Sequence, residues 1–135
     1  PVYREPFESP INSPELYKDF PLVLSTGART ISYTHSQHRN LKSLRRMMPE
    51  PLLEINPSDA RSRGISDGDR VMVTSPRGVV IIKAKVTDTI LGGVVQMPHH
   101  WPDNANANIL SDDLNLDPIS GFPAFKSQLC QVEKL

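Results

Sequence analysis

Apolar residues in this chain cluster in short runs separated by long polar stretches, which predicts strands rather than long helices. Pro21 to Ser25 (PLVLS) reads as the first strand, ended by Gly27. Leu41, Leu44, Met47 and Met48 are spaced for one face of a short helix, stopped by Pro49 and Pro51. Leu52 to Ile55 reads as a second strand. Arg70 to Ser75 and Val79 to Val86 are strands joined by Pro76-Arg77-Gly78, a β-hairpin. In the second of these, apolar residues alternate with Lys83 and Lys85, so one face is buried and the other solvated. Gly93 to Met97 and Ser127 to Val132 complete the strand set.

Local signals are densest in NPSDARSRGISDGDRV, residues 56–71. Asn56 is a good N-cap, Pro57 suits the first helical position, and Asp59 places a carboxylate where the helix dipole favours it. Gly64 is placed to end that helix in a left-handed conformation, and Asp67-Gly68 is a turn into the next strand. Residues 1–20 show neither a helical nor a strand period and read as an extended, proline-containing lead-in or linker, with the domain proper over 21–135. Short strands, one or two short helices and no β–α alternation give a β-rich α+β fold of barrel type.

Composition narrows the function classes. The 15 basic and 15 acidic residues cancel, which argues against a nucleic-acid binder relying on overall basicity. No apolar run approaches the length of a transmembrane helix. The single cysteine, Cys130, excludes an internal disulfide and lies in an apolar strand, where an inert buried thiol is expected. The first residue is Pro rather than Met, so a processed or excised piece of a longer protein is expected.

Two long polar segments, 26–40 and 98–126, each follow a strand, and long loops within a small domain are usually functional or disordered. The four histidines fall in two pairs, His35/His38 and His99/His100. Adjacent histidines seldom both ligate one ion and no CxxC is present, so no metal ligand is expected. Ser36 beside His35 is not a nucleophile–base pair on adjacency alone, and no G-x-S-x-G elbow occurs, so no catalytic residue is expected. Thr26-Gly27-Ala28-Arg29 carries the parts of an anion cradle: hydroxyl, glycine and guanidinium. It reads equally as a solvated turn. Trp101 with Asn104, Asn106 and Asn108 can cover and read a heterocycle, or simply make turns.

In order, the segments PLVLSTGART, HSQHRN, EINPSDARSRGISDGDRVMVTSPRGVVIIKAKVTDTILGGVVQMPHHW, NANIL and DPISGFPAFKSQLCQVEKL resemble one family. It is the C-terminal molybdopterin-dinucleotide-binding domain of the dimethyl sulfoxide reductase family of molybdenum and tungsten oxidoreductases. The resemblance implies a six-stranded double-psi β-barrel and, in the intact enzyme, a bis-molybdopterin guanine dinucleotide cofactor carrying Mo or W. It maps Thr26, Gly27 and Arg29 onto the T-G-x-R segment that meets nucleotide or phosphate, and His35, Ser36 and Gln37 onto a stretch that reaches the pterin and phosphates. His99, His100 and Trp101 match a segment near the second pterin, Asn108 the asparagine of an N-x-L motif, and Lys126 a polar position by the closing strand. The Asn56–Asp69 motif is scaffold on this reading.

In this family the metal's protein ligand and any iron–sulfur cysteines lie in earlier domains, and Cys130 does not match that ligand. The resemblance therefore implies one wall of a cofactor site, with preceding domains or a catalytic subunit as partner. It implies neither turnover nor tight cofactor binding by this chain alone, and either a cytoplasmic or a periplasmic parent. The lead-in favours an excised domain over a separate small subunit such as that of formylmethanofuran dehydrogenase. The rival reading is a stand-alone double-psi barrel used as a protein-interaction module, as in some AAA ATPases. An aspartate-decarboxylase-like enzyme on the same fold lacks its self-processing Gly-Ser site here.

Overall fold

The computed structural model describes residues 2–28 and 30–135. Six strands close a barrel in the order β1-β5-β2-β4-β3-β6, where β1 is Leu22–Ala28, β2 Leu52–Ile55, β3 Arg70–Ser75, β4 Gly78–Val86, β5 Val94–Pro98 and β6 Gln128–Lys134. Two neighbouring pairs, β1–β5 and β2–β4, are parallel and the rest antiparallel. This is the six-stranded double-psi barrel. Strands β1, β3 and β5 run one way and β2, β4 and β6 the other. One end of the barrel, called here the loop end, therefore collects residues 30–51, the Pro76-Arg77 turn and residues 99–127. The opposite end collects residues 56–69 and 87–93.

Alternation sets the inside of the barrel. Val71 and Val73 on β3, Val80, Ile82 and Ala84 on β4, and Cys130 and Val132 on β6 are buried, while residues between them are more exposed or lie outside the core cluster. Leu22, Leu24, Leu53, Ile55, Val95 and Met97 complete the strands' share of the core, which Ala60 and Ile65 join from one end and Ala107 and Leu110 from the other. The expected hairpin forms with Ser75 opposite Gly78. Helix α3, Pro57–Ser62, forms as the capping residues dictate: the Asn56 side chain accepts from the Ser58 N–H at 2.9 Å and Gly64 takes φ +65°. Asp59 also accepts from the Gly93 N–H at 2.7 Å, tying α3 to the β4–β5 loop.

Three sequence expectations are corrected. Strand β1 extends past Ser25 through Gly27 to Ala28, with an irregularity between Ser25 and Ala28, because Thr26 and Gly27 find backbone partners at Phe125. Helix α2, Lys42–Met47, forms but buries none of its residues, so Leu41 and Met47 stand exposed where an apolar face was predicted. The lead-in, expected to be extended, contains helix α1, Pro14–Asp19, which lies against β6. Its Glu8 is buried and takes a fork of bonds from Arg77, Nη1 at 2.5 Å and Nη2 at 3.1 Å. The same carboxylate accepts from the Leu129 N–H. There it stands in for a ladder partner, because β3 has ended at Ser75 before β6 reaches Leu129.

Candidate functional site

Parallel pairing of β1 with β5 decides where the two polar segments meet. Ala28 lies opposite Pro98, so both strands release their chains at the loop end, side by side. Thr26 is buried, and its backbone N–H (2.7 Å) and hydroxyl (3.3 Å) both donate to the Phe125 carbonyl, as does the Gly27 N–H (3.2 Å). Segments 26–27 and 125–126 are thus held together, and Gly27 is their closest approach. A Cβ on Gly27 would stand 3.1 Å from the Phe125 Cβ and 3.4 Å from the Lys126 Cε. The stem of the exposed Lys126 accordingly lies over Gly27.

The histidines come next. His99 Nδ1 donates to the Thr26 carbonyl at 3.0 Å, an oxygen that can only accept. Its ring lies 3.9 Å from His100 and 5.3 Å from His35, and His35 and His100 are 4.3 Å apart, centroid to centroid. His35 (φ +55°) and His100 (φ +68°) both adopt left-handed backbone. At His100 this breaks strand alternation and turns two consecutive histidines toward one another. Desolvation, and then the positive charge that His99, His35 and Arg39 carry or can carry, push the His100 pKa below the ordinary histidine value, favouring its neutral form.

Tyr33, Met48 and Arg39, which carry no site signal in the sequence, lock Trp101 and this arrangement. Trp101 Nε1–H donates to the Tyr33 hydroxyl at 2.8 Å, and that hydroxyl donates to Met48 Sδ at 3.3 Å. The Arg39 guanidinium lies 4.7 Å above the Trp101 ring while its Nη1 donates to the His100 carbonyl. Arg39, Asn40, Arg45, Trp101 and Pro102 line a cleft of about 190 Å³. Apart from Trp101, a sequence-predicted site residue, these residues signalled themselves only as members of polar stretches, and the partners of Arg39 and Tyr33 at His100 and Trp101 lie some sixty residues away.

Ser36 and Gln37 are exposed on a tight turn closed by Gln37 N–H to the Thr34 carbonyl at 2.9 Å. Asn108 is exposed in the 3-10 turn Ala107–Ile109, beside Ile109, which packs onto Gly78 at the β3–β4 turn. Arg29, the guanidinium of the T-G-x-R segment, lies outside the described residues. Under the loop end sits a polar group with no distinguishing signal in the sequence. The Gln128 side chain, on the inward face with Cys130 and Val132, is buried with both amide atoms unpaired among the described residues. A cavity of about 660 Å³ lies elsewhere, between Thr30–Ser32, Met47–Glu50 and the outer face of β2 and β5, and includes no predicted site residue.

The molydopterin dinucleotide binding domain profile matches residues 22–129. The alpha subunit of the F420-dependent formate dehydrogenase of Methanocaldococcus jannaschii is 39% identical over 134 residues, covering 98% of this chain and 19% of the relative. The assimilatory nitrate reductase catalytic subunit of Bacillus subtilis is 34% identical over 128 residues, covering 94% of this chain and 18% of the relative. Among solved structures, acetylene hydratase from Pelobacter acetylenicus superimposes with a TM-score of 0.87 at 27% identity, over 100% of this chain and 21% of that one. The chain thus spans about a fifth of the length of these proteins. It belongs to the molydopterin dinucleotide binding domain family of the molybdenum and tungsten oxidoreductases.

Proposed function

We propose that the loop end of this barrel is one wall of a molybdopterin guanine dinucleotide site in a larger oxidoreductase. One observation carries the placement. Parallel β1 and β5 bring a glycine packed tightly against Phe125, a lysine stem lying over it and three clustered histidines to one end. Fit is tested by the donor set. An anionic dinucleotide needs close backbone approach, cations and hydrogen-bond donors; half-buried Gly27 and exposed Lys126, Ser36 and Gln37 supply these. The unpaired Gln128 amide beneath the same end adds polar capacity that the barrel itself does not use.

On this reading Thr26 and Gly27 set the backbone against phosphate, Lys126 places a cation there, and His35, Ser36 and Gln37 approach the pterin. His99, His100 and Trp101 face the second pterin, and Asn108 is a peripheral contact. When bound, the cofactor supplies a redox-active metal held by dithiolene sulfurs; this chain's residues bind and orient it. The second wall comes from preceding domains of the parent polypeptide. Ile31 and Ile119, almost wholly exposed on the loops of this end, are surfaces for them to cover.

The test is made in the full-length enzyme carrying this barrel. Lys126→Ala and Gln37→Ala, both at exposed positions, are expected to lower pterin and metal content after gel filtration, Lys126→Ala about ten-fold. Arg61→Ala, on α3 at the opposite end, serves as control. Unchanged pterin content in both variants overturns this reading and favours the protein-interaction module.

A further inference from the structure

His35, His99 and His100 offer one ligand nitrogen each, all within 4.8 Å of one another. A tetrahedral ion with metal–nitrogen bonds near 2.0–2.1 Å wants its ligand atoms about 3.4 Å apart. Side-chain rotations that draw the nitrogens together by roughly 1–1.5 Å meet that requirement. His35 and His100 are exposed, so rotation costs them little packing. His99 is the oriented member. Its Nδ1–H is committed to the Thr26 carbonyl, which makes Nε2 the ligand atom of the neutral ring. Histidine ligands are typically held in this way by a second hydrogen bond.

The left-handed backbone at His35 and His100 is what makes the cluster possible. Adjacent residues on an extended strand point to opposite faces, and φ +68° at His100 removes that obstacle. We propose that His35, His99 and His100 form a three-histidine site for a divalent transition-metal ion of the zinc, cobalt, nickel and copper class. The donor set decides the class: three imidazoles suit these ions, whereas Mg²⁺ and Ca²⁺ prefer oxygen ligands. Three protein ligands leave a fourth position for water or an anion. The site draws on histidines that the dinucleotide reading also uses, so ion and dinucleotide would compete. The ion site does not depend on that reading, and titration of this chain alone separates the two.

Co²⁺ is titrated into the 135-residue chain at neutral pH, followed by its visible d–d bands and by calorimetry, with Mg²⁺ as a negative control. Saturation at one Co²⁺ per chain is expected, with displacement by Zn²⁺. His35→Ala and His100→Ala, both at exposed positions, are each expected to weaken binding at least about ten-fold. His38→Ala, outside the trio, is expected to bind like the unaltered chain. Urea unfolding of each variant verifies that it is folded. Absence of saturable binding, trio variants that bind unchanged, or an equal loss in His38→Ala overturns the proposal.

Discussion

At Gly27 a missing side chain matters because β1 and the approach to β6 share one carbonyl, that of Phe125, and a Cβ would press on the Phe125 Cβ 3.1 Å away. At Cys130 the environment settles the chemistry. The thiol is wholly enclosed, and burial pushes its pKa up to about 12, with Arg63 pulling it down less and Glu8 adding to the rise. A thiol that stays protonated is a poor nucleophile. Native protein at pH 8 is therefore expected to resist alkylation by iodoacetamide, and urea-unfolded protein to react at one site. The same shift carries a pH dependence. The folded thiol holds its proton to higher pH than the unfolded one, so its contribution is full below the unfolded pKa, about 8.5, and is lost as pH rises toward 12. Cys130→Ala should flatten the alkaline fall in urea midpoint relative to the unaltered chain.

Among the elements, those specified by neighbours in sequence were the legible ones. Helix α3 carries its own cap, and the β3–β4 hairpin carries its own turn and alternation, so their bounds follow from a few consecutive residues. The site was less legible because it depends on pairings between distant segments. Nothing near Thr26 announces that Phe125 will accept its N–H, and nothing near Tyr33 announces Trp101. The convergence of His35 with His99 and His100 needs both the parallel β1–β5 pair and a left-handed residue. Helix α1 and the burial of Glu8 escaped for the same reason: an isolated glutamate among prolines gives no sign of a partner at Arg77 or at the Leu129 N–H. Glu8→Ala removes a carboxylate that answers both. Leaving a guanidinium and a buried N–H without it should cost about 2–4 kcal/mol, read as a lower urea midpoint with unchanged m-value. A loss below about 0.5 kcal/mol would show that the lead-in merely rests on the barrel.

Across the whole molecule, the candidate site and the capped helix lie at opposite ends of one barrel. Three alternating loops leave from the loop end with the histidines, Gly27, Lys126 and Trp101, while α3 and its capping residues close the other end. The core between them is one apolar cluster carried mainly by the six strands. That separation makes a two-way test. Asn56 caps α3 through the Ser58 N–H and also donates from Nδ2 to the Ile90 carbonyl at 2.7 Å, joining two loops of the scaffold end. Asn56→Ala should cost about 1–2 kcal/mol of stability in this chain. In the full-length enzyme, at temperatures where the fold survives, it should leave pterin content unchanged. Lys126→Ala should do the reverse: an exposed lysine at the loop end contributes within about 0.5 kcal/mol to folding, yet its loss should empty the site. If Asn56→Ala strips cofactor from a folded enzyme, or Lys126→Ala destabilises the chain as much as Asn56→Ala does, the two ends are coupled through the barrel and the division of labour fails.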